Sequence, residues 1–190
     1  MNRVLEAALE VQSFCQTKGF AFCIIGGVAL QRWGEPRMTD DVDLTVLTEF
    51  GNEEPFIDAF LQAYSSRITD AKSFALRNRV LLIKTTGGIG IDAALGAMPF
   101  EERTIQRSSF YTLENEKSLR TCSAEDLIVH KAFANRDQDW VDIQGILTRQ
   151  QTKLNSAQIL FELEPLATLK EEPQIISRLK ALFTSSPRTF

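Results

Sequence analysis

Apolar residues recur at Val4, Leu5, Ala8, Leu9, Val11 and Phe14, the spacing of one helix face. This predicts a helix over 2–18 that Lys18-Gly19 ends. The pattern then changes. Phe20 to Ile25 is a continuous apolar run between Gly19 and Gly26, which predicts a buried strand. Val28 to Trp33 reads as a short helix stopped by Gly34 and Pro36. Val42 to Leu47 reads as a strand, and Glu53 to Tyr64 as a helix with Phe56, Ile57, Phe60, Leu61 and Tyr64 on its apolar side. Arg79 to Thr85 and Ile89 to Leu95 predict two strands around Gly87-Gly88, a hairpin signal. Pro99 to Gln106 predicts a helix and Ser109 to Leu113 a short strand. Beyond about residue 118 strand signals vanish, and helical patterns cover 123–134, 137–149, 155–168 and 173–184. Strands joined partly by helices and partly by a hairpin predict a mixed β-sheet flanked by helices. The expected fold is mixed α+β or α/β over 1–118, followed by a C-terminal helical bundle over 119–190.

The strand over 42–47 is preceded and entered by acids: Asp40-Asp41-Val42-Asp43-Leu44-Thr45-Val46. Side chains two apart on a strand share a face, so Asp41 and Asp43 point one way and Val42, Leu44 and Val46 the other. Two like charges side by side cost free energy unless a cation lies between them. Paired carboxylates that hold a divalent metal beside a phosphate serve phosphoryl and nucleotidyl transfer. A third acid follows in Ile89-Gly90-Ile91-Asp92-Ala93-Ala94-Leu95, where Asp92 shares its face with Gly90 and Ala94. An aspartate in an apolar strand needs a partner. Either Asp92 joins Asp41 and Asp43 on one edge of the sheet, or it ends its strand and faces water. Upstream, Gly26-Gly27 stands between strand and helix. It either lets a phosphate approach the N–H groups opening the helix or serves a tight turn. The order apolar strand, Gly-Gly, short helix, Asp-x-Asp strand, later Asp strand is more specific than any one part.

Composition narrows the chemistry. The single histidine, His130, would have to carry any Ser-His-Asp triad or multi-histidine metal site alone. Cys15, Cys23 and Cys122 form no CxxC pattern, which predicts reduced cytoplasmic thiols and no zinc site. No stretch is long enough to span a bilayer, and Glu6 and Glu10 make the start unlike a signal peptide. The formal net charge of −4 argues against broad nucleic-acid binding and leaves room for a local basic patch with a small phosphate-bearing ligand.

These residues carry a family resemblance. Gly26-Gly27, Asp41 with Asp43, and Asp92 are similar to the signature of the DNA polymerase β-like nucleotidyltransferase superfamily. More narrowly, the chain resembles the AbiEii-type nucleotidyltransferases, many of which are toxins of toxin–antitoxin pairs. Arg37-x-Thr39-x-Asp41-Val42-Asp43 is similar to that group's Arg-x-Thr/Ser-x-Asp-x-Asp pattern. So is the run from Glu125 to Arg136, followed by Asp139 and Asp142-Ile143. The resemblance covers residues from about 20 to 147. One departure is Gly27, which stands where many nucleotidyltransferases have serine.

In the second motif, Ser123 is positioned to cap a helix whose first turn holds Glu125 and Asp126. Leu127, Ile128 and Ala134 are expected on its buried face, with Lys131 in the middle. A lysine there must snorkel out or meet a negative partner, and the upstream acids favour a reach to nucleotide phosphates. On the next helix, Asp139 or Asp142 is expected to pair with Lys131 or Arg136, with Asp142 the better site residue. Arg37 either bridges to a carboxylate or touches phosphate.

The resulting expectation is an enzyme that moves a nucleotide from a nucleoside triphosphate to an acceptor hydroxyl on RNA, tRNA or protein. Mg²⁺ (or Mn²⁺) would be held by Asp41 and Asp43, with Asp92 as third ligand or general base. Gly26, Gly27, Arg37, Thr39, Lys131 and Asp142 would hold the nucleotide, and the helical unit would close the nucleotide cleft. The expected setting is the cytoplasm, with a cognate antitoxin as partner. The rivals are transfer to a small molecule such as an aminoglycoside, and a non-catalytic nucleotide-binding protein of the same fold.

Overall fold

The computed structural model describes residues 2–114 and 116–185. The chain divides into two units, Met1–Val28 with Met38–Cys122, and Ala29–Arg37 with Ser123–Phe190.

The first unit opens with α1 (Arg3–Lys18). The Asn2 side chain caps it by accepting from the Val4 N–H, and Gly19 ends it at φ +69°. Its buried face, Val4, Ala7, Ala8, Val11 and Cys15, follows the helical period. Then come β1 (Phe22–Ile24), α2 (Gly26–Trp33), β2 (Asp41–Leu47), α3 (Glu53–Ala63), β3 (Ser65–Ser66) and α4 (Ala71–Asn78). They are followed by β4 (Val80–Lys84), β5 (Gly90–Gly96), α5 (Pro99–Arg107), β6 (Ser109–Thr112) and β7 (Ser118–Thr121). The boundary between the units falls inside α2.

The strands form one seven-stranded sheet in the order β3-β4-β5-β2-β1-β7-β6. The pairs β2·β5 and β1·β7 are parallel, and β3·β4, β4·β5, β1·β2 and β6·β7 are antiparallel. The sheet is thus mixed and flanked by helices, as the pattern predicts. Its core gathers Phe22, Ile24, Val42, Leu44, Val46, Leu81, Ile83, Ile91, Ala93 and Leu95 with the buried face of α1. Phe14, Phe20, Phe56, Phe60 and Tyr64 pack as an aromatic cluster, with ring centroids 4.6–6.2 Å apart. Full burial of such a side chain contributes about 1.5–3 kcal/mol, which Phe60 reaches and the partly buried Phe14, Phe20 and Phe56 do not.

The second unit holds α6 (Ala124–Ala134), α7 (Asp137–Gln150), a 3-10 turn (Gln151–Lys153), α8 (Ser156–Leu169) and α9 (Gln174–Ser185). Ser123 caps α6, its hydroxyl accepting from the Asp126 N–H. The segment before Arg37 is tied into this unit: Arg149 donates to the Gly34 carbonyl at 2.7 Å, and Gln150 to the Trp33 carbonyl at 2.7 Å.

Four short pieces depart from the sequence pattern. Strand signals do not stop at 118. β7 runs over Ser118–Thr121 with only Leu119 and Thr121 buried, too short an alternation to read. β3, α4 and the 3-10 turn are likewise brief, and α4 is entered and left through left-handed residues, Asp70 at φ 54° and Arg79 at φ 54°. On α6, Ala134 is exposed rather than buried, because the helix ends there at Asn135 in a left-handed cap.

Candidate active site

β2 presents its residues alternately. Val42, Leu44 and Val46 are fully buried, while Asp41 and Asp43 lie on the opposite, half-buried face. The parallel register sets Asp43 opposite Asp92 of β5, and Asp41 opposite Gly90. Partners at one level of neighbouring strands point to the same face, so the three carboxylates share one side of the sheet. Asp92 is half-buried within its strand and does not end it.

The glycine turn is built around this face. The Ile25 N–H donates to the Asp43 carbonyl at 2.9 Å, which locks the end of β1 against β2. Gly26 follows at φ +60°, and a Cβ there would stand 1.9 Å from Asp43 Oδ2. Only glycine fits, for conformation and for space. A Cβ on Gly27 would lie 2.5 Å from the Thr39 hydroxyl oxygen. Thr39 thus fills the room that a side chain at 27 would need. Its hydroxyl is 3.4 Å from Asp41 Oδ1.

Asp92 has a partner the sequence pattern did not reveal. Arg67 forms an ion pair with it, Nη2 against Oδ1. The main chain of Arg67 is anchored by its N–H donating to the Leu82 carbonyl at 3.0 Å, and Leu82 is the β4 residue opposite Asp92. Gly90 clears the way, since a Cβ there would lie 2.9 Å from Arg67 Nη1. Arg67 was missed because Ser65-Ser66-Arg67-Ile68-Thr69-Asp70 carries no periodicity. The available signal was the bare position at Gly90, two residues before the acid. Burial raises the Asp92 carboxyl above the ordinary carboxylate range; Arg67 opposes this shift and the charge of Asp41 adds to it.

Three oxygen-donor carboxylates on one face suit a hard divalent cation. Among the described residues, however, no group of three or more His, Cys, Asp or Glu side chains closes into a metal-holding cluster. Asp92 is engaged by a guanidinium instead. The residue types and the register fit a cation; the third carboxylate is already neutralised by a cationic side chain.

The remaining residues singled out in the sequence, Arg37, Lys131 and Asp142, come together within the helical unit. Lys131 does not snorkel: it is buried, its Nζ donating to Asp142 Oδ2 at 2.6 Å and to Asp139 Oδ1 at 3.4 Å. Arg37 grips Asp142 with two nitrogens, Nε at 3.0 Å from Oδ1 and Nη2 at 3.0 Å from Oδ2. Gln138 adds a bond to Asp142 at 2.9 Å, and Arg136 Nε one to Asp139 at 2.7 Å. Burial works to raise the Asp142 carboxyl, but the hydrogen bonds from Arg37, Lys131 and Gln138 outweigh it and hold it below its usual range. The bond to Asp142 raises the Arg37 guanidinium. Asp139 and Asp142 sit at i and i+3 on α7, so one helix face supplies both carboxylates to one lysine. Asp139 is buried and pairs with both Lys131 and Arg136, where the sequence left one of Asp139 and Asp142 to pair with one of these cations.

The chain matches the family model described as nucleotidyl transferase AbiEii toxin, type IV TA system, over residues 15–179. No curated protein matches it. Among solved structures, it resembles ANT(2")-Ia in complex with adenylyl-2"-tobramycin, with a TM-score of 0.54 at 12% identity, covering 88% of this chain and 97% of that chain. An antigenic nucleotidyltransferase-like protein from Paracoccidioides brasiliensis aligns with a TM-score of 0.49 at 17% identity, over 93% of this chain and 91% of that one. The lincomycin-bound lincosamide antibiotic adenylyltransferase LnuA aligns at 0.48 and 10% identity, over 77% and 96%. At 12% identity, the likeness to ANT(2")-Ia shows a shared fold.

Proposed function

From the premise that the chain belongs to the AbiEii nucleotidyl transferase family, we propose that it is a metal-dependent enzyme that transfers the nucleoside monophosphate of an NTP to an acceptor hydroxyl. The observation that carries this reading is the level pairing of Asp43 with Asp92 beside the Gly26 turn, with Asp41 on the same face.

Asp41, Asp43 and Asp92 would hold a divalent cation, Mg²⁺ or Mn²⁺, which neutralises triphosphate charge and makes the acceptor oxygen more nucleophilic. The chain's own residues do the rest. Gly26 and Gly27 leave the backbone N–H groups at the start of α2 open to phosphate oxygens. Thr39 offers its hydroxyl where a serine at position 27 would. The acceptor oxygen bonds to the α-phosphorus in line as the bond to the leaving pyrophosphate breaks. Asp92 would serve either as third ligand or as the general base that takes the acceptor's proton, its carboxyl raised by burial above the ordinary carboxylate range. Within the helical unit, Ala29–Arg37 with Ser123–Phe190, the buried Lys131 holds Asp142 and Asp139 and through Asp142 positions Arg37, whose partly exposed guanidinium would be the cation offered to a phosphate.

The acceptor class we favour is RNA, tRNA in particular, or protein. In that role the enzyme acts in the cytoplasm as the toxin of a pair, restrained by a cognate antitoxin. The net charge of −4 supports a locally gripped acceptor over long nucleic acid. It also supports a second reading, transfer to a small molecule. Incubation with each labelled NTP and Mg²⁺, with and without total RNA and cell extract, separates them. Label on tRNA or protein supports the first reading, and label on a small molecule alone supports the second. Nucleotide binding without transfer would mean a non-catalytic protein of this fold.

A further inference from the structure

The ion pair on Asp92 lies where a bound cation would be needed. Arg67 arrives from the end of β3, its main chain fixed to Leu82 directly across from Asp92. It passes over Gly90, which lacks the side chain that would block it. Gly90 is level with Asp41, so the guanidinium crosses the sheet at the level of one acid and ends on another. Three separate features, a backbone anchor, a bare strand position and a carboxylate, thus serve one side chain.

The strength of the pair matters. The Arg67 and Asp92 side chains are 30% and 31% exposed. Partly exposed ion pairs contribute little to stability, so this one opens at small cost. A divalent cation carries twice the charge and attracts the same carboxylate more strongly. Both positive groups cannot lie close against one carboxylate without repelling each other.

We propose that Arg67 is a built-in counter-ion for Asp92 that competes with the divalent cation for this carboxylate, so that metal binding displaces the guanidinium. This rests on the metal-dependent reading above and deepens it: the third acid is neutralised in the metal-free protein and released for the metal only on exchange. Arg67 thereby sets the concentration of metal at which the acid face fills, without being a ligand itself.

The test is Mn²⁺ binding to the full chain without nucleotide, read from the paramagnetic signal of the free ion. Arg67→Gln is expected to tighten Mn²⁺ binding about fivefold, from loss of the competing pair and of one nearby positive charge. Lys84→Gln is the control. Lys84 is exposed on β4 opposite Gly90 and removes a charge from the same neighbourhood. It is expected to change the affinity by less than about twofold. An Arg67→Gln affinity that is unchanged or weaker overturns the proposal, as does equal tightening by both substitutions, which would be a general charge effect. Asp41→Asn separates this failure from that of the functional reading. If wild type binds Mn²⁺ and Asp41→Asn does not, the metal site stands and only the Arg67 exchange is in question. If the two are alike, or if neither binds, the metal-dependent reading fails, and the exchange with it.

Discussion

Asp43 and Asp92 are direct partners across two parallel strands, at the same level and on the same face of the sheet. Nothing in the packing of the core requires two acids there. Val42 and Ile91, next to them and facing the other way, already fill the interior. The acids are therefore dispensable for the core, and changing them should separate function from folding.

Asp41→Asn and Asp43→Asn keep size while removing the charge and turning one acceptor oxygen into a donor. Nucleotide transfer is expected to fall by about a thousandfold or more in each. Thermal stability is expected to stay equal or rise slightly, because like charges are relieved. A calorimetric scan beside the activity assay checks both.

Gly26→Ala places a methyl group 1.9 Å from the position of Asp43 Oδ2 and forces an alanine to φ +60°. The left-handed backbone alone costs about 1–2 kcal/mol. The expected outcome is loss of transfer together with lower stability, measured by urea unfolding. A fully active Gly26→Ala protein would mean that Asp43 has no fixed place in the site.

The relation of Gly27 to Thr39 predicts a coupled pair. Gly27→Ser alone drives a side chain into Thr39 and should destabilise. Adding Thr39→Gly, which also removes the Cβ that would stand 2.8 Å from the new side chain, should restore part of the loss, with an interaction of about 0.5–3 kcal/mol in a double-mutant cycle. Additive effects would contradict the shared space.

Much of this was legible in the sequence because the periodicities are long. α1, α3 and the helices beyond 123 each show several turns of pattern, and β2 and β5 alternate cleanly around their acids. Gly26-Gly27 and Asp41-x-Asp43 could be read because special backbone and like charges are costly and rarely idle. What escaped was short or non-local. β3 and β7 hold two and four residues. Arg67 meets Asp92 across 25 positions, and Arg37 meets Asp142 across 105. Lys131 showed only that it must snorkel out or meet a negative partner, with nucleotide phosphates favoured and one of Asp139 and Asp142 named as a partner for Lys131 or Arg136. That both acids bind Lys131 at once depends on how α6 and α7 pack, which no local pattern carries.

The buried network around Lys131 makes two predictions. Lys131→Ala leaves Asp139 and Asp142 buried without their shared cation, and should cost about 3 kcal/mol or more in urea unfolding. The pH dependence follows from Asp142. Its folded pKa is depressed below the unfolded value near 4, so its stabilising contribution is complete above that value. It is lost as pH falls through the lower folded pKa. In Asp142→Asn this acid-side loss should shrink, as read from unfolding curves between about pH 5 and pH 2.

The central claim is that the acid face performs nucleotide transfer. The most direct measurement is incorporation of label from each α-labelled NTP, with Mg²⁺, total RNA and cell extract, by wild type beside Asp41→Asn. A labelled product formed by wild type and lost in the variant is the predicted result. No transfer from any nucleotide, with wild type indistinguishable from Asp41→Asn, would contradict it.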